Sequence, residues 1–280
     1  MRRRADMFKK AYVEITNICN LSCDFCHGTK RTPHRMTAAE FNCIIQRLVG
    51  HTEYVYLHIL GEPLTHPELG EIMAAVAKHD MKCCITSNGT LLRENEPVLL
   101  NAPLHKLSVS LHSFEVNGGD LEDYLQSVCI VCKKLAQNGT ICALRLWNSG
   151  GADALNGEIL NFLRRFFGDC WQKNRDGYKL GKNLYLENAA KFDWPDIEGS
   201  QRNVQFCQGL RDQIGILCDG TVVPCCLDAD GSIPLGNIFE QALDEILSGE
   251  RAKAIYDGFS SRTPSEVLCR RCGFAERFSL

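Results

Sequence analysis

Apolar and polar positions change rhythm repeatedly along this chain, and the changes predict alternating strands and helices. Residues 12–16 alternate as a short strand does, and a cysteine-rich loop follows them. Thr37 and Glu40 form a capping box, in which each side chain satisfies a free N–H at a helix start. Phe41, Ile44, Ile45, Leu48 and Val49 repeat behind it at helical spacing. The series continues with a strand at 54–60, a helix at 67–78 with proline at its start, a strand at 82–86, a short helix at 94–100 and a strand at 106–111. A long helix at 121–137 closes on Asn138-Gly139, and a strand at 141–147, a helix at 155–166 and a strand at 183–187 complete it.

Strand–helix repeats of this kind make a parallel sheet, and right-handed crossovers curl it one way. Six of them predict an α/β fold, a partial (β/α)6 TIM-type barrel rather than a closed eightfold one. Such barrels carry their sites at the C-terminal strand ends, and every end here is polar. In order come the cysteine loop, Gly61-Glu62-Pro63, Ser87-Asn88-Gly89-Thr90, Ser110 with His112, Arg145 with Asn148, and Glu187 with Asn188. Turn chemistry accounts for some of that polarity; a site accounts for all six.

Charge changes the picture little. A formal net charge of −3 over 280 residues gives no sign of a nucleic-acid or membrane partner, and no apolar run is long enough to span a bilayer. The basic Met-Arg-Arg-Arg start lacks the apolar stretch of a signal peptide and reads as a solvated tip of a cytoplasmic protein. Cysteine changes it more. Sixteen thiols are many for a compartment where disulfides are rare, so metal sites are the natural outlet. Cys19, Cys23 and Cys26 crowd three of them into eight residues of loop, where they can converge on one inorganic cluster. A four-iron cube normally takes four cysteines, so three leave an iron open. A structural zinc site or ordinary buried thiols would read the same by spacing alone. Cys43, Cys83, Cys84, Cys129, Cys132, Cys142 and Cys170 mostly fall at apolar positions and read as small hydrophobes.

The C-x3-C-x2-C loop after the first strand, with Phe25 before the third cysteine, resembles the signature of the radical S-adenosylmethionine (SAM) superfamily. Leu60-Gly61-Glu62 is similar to the family's Gly-Gly-Glu segment with the first glycine replaced, and the Thr-Ser-Asn-Gly-Thr and Ser-Val-Ser-Leu-His segments also look like the family's. The resemblance implies that Cys19, Cys23 and Cys26 hold a SAM-binding [4Fe–4S] cluster. Phe25, Gly61, Glu62, Asn88 and Ser110 would line SAM, with Glu62 and its loop at the amino group and Asn88 and Ser110 at the ribose and methionine. The family's adenine-contacting glycine pattern is not found on the fifth strand.

The last third adds Cys207, Cys225, Cys269 and Cys272, with Asp219-Gly220 turning a hairpin that delivers Cys225, and a covering helix at 243–248. This resembles the SPASM/twitch auxiliary-cluster module of the same superfamily, in layout the radical SAM dehydrogenase of butirosin biosynthesis. A zinc ribbon would use the same four cysteines. Cys226 is an alternative to Cys225, and Cys218 a spare thiol. The expected division is a barrel over 1–190 and an auxiliary [4Fe–4S] module over 191–280. Together the two clusters imply hydrogen-atom abstraction followed by loss of an electron, a dehydrogenation fed by an external low-potential donor such as flavodoxin or ferredoxin. Arg145, His112 and Glu187 are the expected catalytic residues, with His58 and Asp228 as further candidate proton acceptors or substrate holders. With the first strand near residue 12, no room for a fused peptide-recognition domain is expected, which favours a small polar substrate. Peptide modification is the alternative, and a non-catalytic zinc-binding adaptor the alternative of another class.

Overall fold

The computed structural model describes residues 7–278; the basic tip lies outside the described residues. In chain order the elements are β1 (Lys10–Val13), α1 (Ala38–Leu48), β2 (Tyr54–Tyr56), α2 (Leu69–Lys78), β3 (Lys82–Ser87), α3 (Leu92–Asn101), β4 (Leu104–Ser110), α4 (Phe114–Asn117), α5 (Leu121–Gln137), β5 (Ile141–Ser149) and α6 (Asn156–Phe167). They continue as β6 (Gln172–Asn174), β7 (Gly177–Gly181), β8 (Leu184–Ala190), β9 (Gln213–Ile216), β10 (Thr221–Val223), β11 (Gly236–Asn237), α7 (Leu243–Ser248), α8 (Glu250–Ser260) and α9 (Val267–Arg270).

All strands belong to one open sheet in the order β11-β10-β9-β1-β2-β3-β4-β5-β8-β7-β6. The six expected barrel strands, β1 to β5 and β8, run parallel to one another. The sheet is therefore the open, parallel-rich α/β sheet of a partial barrel. Two features extend it. Asn174-Arg175-Asp176-Gly177 turns an antiparallel hairpin, β6–β7, onto the edge of β8, and β9 adds in parallel to the free edge of β1, with Tyr12 opposite Gly215. The C-terminal third thus shares a sheet with the barrel.

Why the sheet carries a site follows from its period of two. Outward positions Ala11, Val13, Val55, Leu57, Cys83, Ile85, Leu107, Val109, Cys142 and Leu144 are buried in the hydrophobic core against the helices. Inward positions Lys10, Tyr12, Tyr56, His58, Thr86, Lys106, Ser110, Arg145 and Trp147 instead line one cavity. The capping box at Thr37 and Glu40 is present at the start of α1, and α5 spans the expected residues with Asp120 as its cap. β1 ends at Val13, short of Thr16, because the chain leaves the strand to build the cysteine loop, with Thr16 bridging antiparallel to Arg35. Of the middle cysteines, Cys83, Cys84, Cys129, Cys132 and Cys142 are buried as expected, Cys43 is half-buried, and Cys170 is exposed.

Candidate functional site

The cysteine loop runs from Glu14 to Thr37 across the C-terminal end of the sheet and is pinned at several points. Glu14 is fully buried. Both its oxygens lie 2.7 Å from Arg31 Nη2, and they accept the Leu60 and Cys218 N–H groups at 3.2 and 3.1 Å. Arg31 also donates to the Ala229 carbonyl at 2.9 Å. One buried pair therefore joins β1, the loop, the turn after β2 and the C-terminal third. Trp194 Nε1 donates to the Phe25 carbonyl at 3.1 Å, and His27 Nε2 lies 2.7 Å from Asp230 Oδ2.

Gly61 carries the closest approach. Its φ is +73°, and a Cβ there would stand 2.3 Å from the Thr16 carbonyl oxygen and 3.0 Å from that of Ile18. Glu62 N–H donates to the Ile18 carbonyl at 2.9 Å. The turn after β2 is thus laid backbone to backbone on the base of the cysteine loop, and glycine is required at 61, whereas Leu60 takes the preceding position without strain. Glu62, 2% exposed, accepts the Leu64 and Asn88 N–H groups at 3.0 and 2.7 Å. Burial nevertheless raises its pKa to about 7. Asn88 Nδ2 donates to Asn20 Oδ1 at 2.9 Å, tying the end of β3 to the loop.

These residues converge. Cys19, Cys23, Cys26, Phe25, Gly61, Glu62, Asn88 and Ser110 line one cavity of about 390 Å³. Through Phe25, Cys26, His58, Thr86 and Ser110 it adjoins a half-open cavity of about 750 Å³ inside the sheet. Arg145 and His112 line the larger cavity. Arg145 stacks on Trp147, 4.4 Å from the ring centroid. His112 Nδ1 lies 3.2 Å from the Arg145 carbonyl and 3.4 Å from the Trp147 nitrogen, so backbone fixes the ring beside Phe25. Glu187 is not among the lining residues. It is the register partner of Arg145 on the same face of the sheet, and its carboxylate, 3.0 Å from Arg145 Nε and 3.1 Å from Lys106 Nζ, positions both cations. Asp228, 2% exposed, accepts the Ser232 and Ile233 N–H groups at 2.8 Å and organises its own loop. His58 is placed differently. It lines both cavities, its Nδ1 is buried without a hydrogen-bond partner, and burial with the Arg145 and Lys10 cations pushes its pKa down to about 3, which keeps it neutral.

Cys207, Cys225, Cys269 and Cys272 line a second, small space walled by Pro195, Phe259, Leu268 and Phe274. The β9–β10 hairpin delivers Cys225, α9 carries Cys269, and the turn after α9 delivers Cys272. Cys226 lines the large cavity instead, beside Tyr12, and Cys218 belongs to the Glu14–Arg31 cluster, 3.6 Å from Arg31 Nη1. The donor chemistry fits a cluster. Burial raises the pKa of all four thiols, that of Cys272 to about 11, and neighbouring thiols, Cys207 among them, raise those of Cys225, Cys269 and Cys272 further. A positively charged iron core relieves both penalties by binding the thiolates. Among the described residues no three His, Cys, Asp or Glu side chains are arranged to hold a single ion; thiols that each bind a different iron of a cube stand farther apart than ligands of one ion.

Comparisons with known proteins agree with this anatomy. The radical SAM superfamily model matches residues 13–136, and the SPASM iron–sulfur cluster-binding domain matches residues 207–273. The sporulation killing factor maturation protein SkfB of Bacillus subtilis is 22% identical over 276 residues, covering 85% of this chain and 64% of its own length. The chain thus spans a little under two thirds of that relative. Among solved structures, BtrN in complex with AdoMet and 2-DOIA superposes with a TM-score of 0.64 at 17% identity, over 95% of this chain and 93% of BtrN. Streptococcus suis SuiB bound to precursor peptide SuiA gives 0.64 at 16% identity, over 97% and 71%. The two matched domains imply SAM, a SAM-binding [4Fe–4S] cluster and auxiliary cluster binding as the cofactors. The chain thus carries a radical SAM domain, followed by a SPASM iron–sulfur cluster-binding domain.

Proposed function

We propose that this enzyme is an oxidoreductase that modifies a peptide segment seated in the 750 Å³ cavity. The observation that carries the reading is the position of that cavity. It touches Cys26 on one side and Gln208 and Cys226, the chain neighbours of Cys207 and Cys225, on the other. A substrate there lies between the two thiol sets. Cys19, Cys23 and Cys26 would hold the SAM-binding cluster and Cys207, Cys225, Cys269 and Cys272 the auxiliary one. When bound, SAM with its cluster supplies a 5′-deoxyadenosyl radical and the auxiliary cluster a one-electron acceptor. The chain's own residues do the rest. Glu62 offers a buried carboxylate to the SAM ammonium, and Asn88 and Ser110 hold the same cavity open beside it. Tyr12, Tyr56, Trp147, Phe192 and Trp194 wall the larger cavity, exclude water and fit an apolar or aromatic side chain. His58, kept neutral and with its Nδ1 unpartnered, would hydrogen-bond the substrate.

SkfB, by its name a maturation protein, and SuiB, solved with a precursor peptide, support a peptide substrate over the small polar molecule expected from the sequence. Oxidation of a small polar molecule is the second reading, favoured by the cationic wall of Arg145 and Lys106 and by the near-complete superposition on BtrN. The test is mass analysis after anaerobic incubation of the reconstituted enzyme with SAM, dithionite and either a randomised peptide library or a set of polyols and amino sugars. Peptides lacking two hydrogen atoms, formed together with 5′-deoxyadenosine, are expected. The same loss confined to the small molecules overturns the peptide reading.

A further inference from the structure

Charge in the large cavity runs against the charge of the chain. The protein is net acidic at −3, yet the cavity is lined by Lys9, Lys10, Lys106, Arg145 and Lys191, with Asp212 as the lining carboxylate. Lys9 Nζ is engaged by Asp212 at 2.6 Å, and Lys106 and Arg145 share Glu187. Five cations against two carboxylates leave three positive charges in excess. Neither tyrosines nor neutral histidines offset them.

Lys10 is the most exposed to that imbalance. It is half-buried at the start of β1, with its Nζ over the Tyr12 and Tyr56 rings at 5.3 and 5.9 Å from their centroids. Among the described residues its ammonium has no hydrogen-bond acceptor and no carboxylate within ion-pair distance. Burial holds its pKa below the ordinary lysine value, with Arg145 and Lys106 pushing the same way and Cys226 and Asp212 only partly offsetting them. A part-buried cation over ring faces with no ion-pair partner is a costly arrangement, relieved when an anion arrives. Position decides what that anion is. Phe25 and Cys26 mark the C-terminal end of the strands, where a SAM-binding cluster on Cys19, Cys23 and Cys26 would put the reacting bond. Lys10 pairs at the level of Gln213, below Tyr12 and Tyr56, toward the opposite end of the same cavity.

We propose that Lys10 is a specificity residue that seats a carboxylate of the substrate, remote from the reacting carbon. In a peptide this is an aspartate or glutamate side chain near the modified residue, an inference that rests on the peptide reading for its choice of carrier. Anchoring at that distance orients the segment without touching the chemistry, the use to which remote binding interactions are suited.

Calorimetry on the anaerobically reconstituted enzyme with SAM tests it, with N-acetylglutamate α-amide and its neutral isostere N-acetylglutamine α-amide as probes. The acid is expected to bind about tenfold tighter or more, as charged hydrogen bonds do. That ratio should fall to within twofold in Lys10→Met and persist in Lys191→Met. Equal affinities in the parent, absence of binding by both probes, or a ratio that survives in Lys10→Met with its clusters intact overturns the proposal. If Lys10→Met does not take up iron, Lys10→Gln replaces it, and the parent ratio remains decisive. Glutarate separates the two claims: tight binding of glutarate with no peptide altered in the mass assay keeps the carboxylate seat and removes the peptide reading, whereas altered peptides without acid preference do the reverse.

Discussion

Gly61→Ala is the sharpest perturbation of the site, because it adds one methyl group where two backbones touch. Its φ of +73° costs an L-residue about 1–2 kcal/mol. Its Cβ would stand 2.3 Å from the Thr16 carbonyl oxygen, and backbone cannot rotate aside as a side chain can, so relief requires moving the loop at a further cost of about 1–3 kcal/mol. Together these predict a loss of about 2–5 kcal/mol. Gly50→Ala supplies the control, since Gly50 has φ +81° and a Cβ there meets nothing within 4 Å; it should lose only the conformational part. Urea unfolding of the two cluster-free variants under reductant, followed by circular dichroism, measures the difference. Iron uptake measures its consequence, because Ile18 adjoins Cys19. Equal stability losses and equal iron uptake in the two variants would refute the claim that the turn after β2 braces the cysteine loop.

Further predictions rest on other parts of the site. Arg31→Met leaves the fully buried Glu14 carboxylate without its cation and should cost about 3–5 kcal/mol in urea unfolding; a loss under about 1 kcal/mol would mean that the pair is not a buried node. Glu62 gives a pH dependence of known sign. With its folded pKa at about 7 against an ordinary 4.5, the folded chain holds a proton that the unfolded chain has released, so stability falls as pH rises through that window, by about 3 kcal/mol in all. Glu62→Gln should remove that slope from urea midpoints taken across the window, and a slope unchanged by the substitution would contradict the assignment. Cys225→Ser should cost about four irons per chain and Cys226→Ser none, as iron analysis after anaerobic reconstitution will show; the opposite pattern would exchange their roles.

Local chemistry made much of this fold legible in the sequence. The Thr37 and Glu40 box and the long apolar face of α5 are complete within a few residues, so their elements stand where the pattern puts them. The first cysteine set converges because it occupies one loop at a strand end, and the inward residues of β1 to β5 follow from the period of two. Relations that join distant segments were not legible. Nothing local tells that β9 pairs with β1 some 200 residues away, or that Glu14 and Arg31 meet in a buried pair binding Cys218. Glu187 was expected at the cavity, but Arg145 and Lys106 engage its carboxylate and line the cavity in its place. The choice between Cys225 and Cys226 depends on which way each faces after β10, and the Gly61 requirement on a contact with Thr16. The β6–β7 hairpin did carry a local signal, the Asp176-Gly177 turn, that a search for strand–helix repeats passes over.

The account's central claim is two iron–sulfur sites flanking one cavity, and counting iron and sulfide after anaerobic reconstitution tests it most directly. About eight irons per chain are expected in the parent, and about four both in the Cys19/Cys23/Cys26 triple alanine variant and in the Cys207/Cys225/Cys269/Cys272 quadruple variant. Only the triple variant should lose reductive cleavage of SAM to 5′-deoxyadenosine. Zinc in place of iron, or SAM cleavage that survives without Cys19, Cys23 and Cys26, would contradict it.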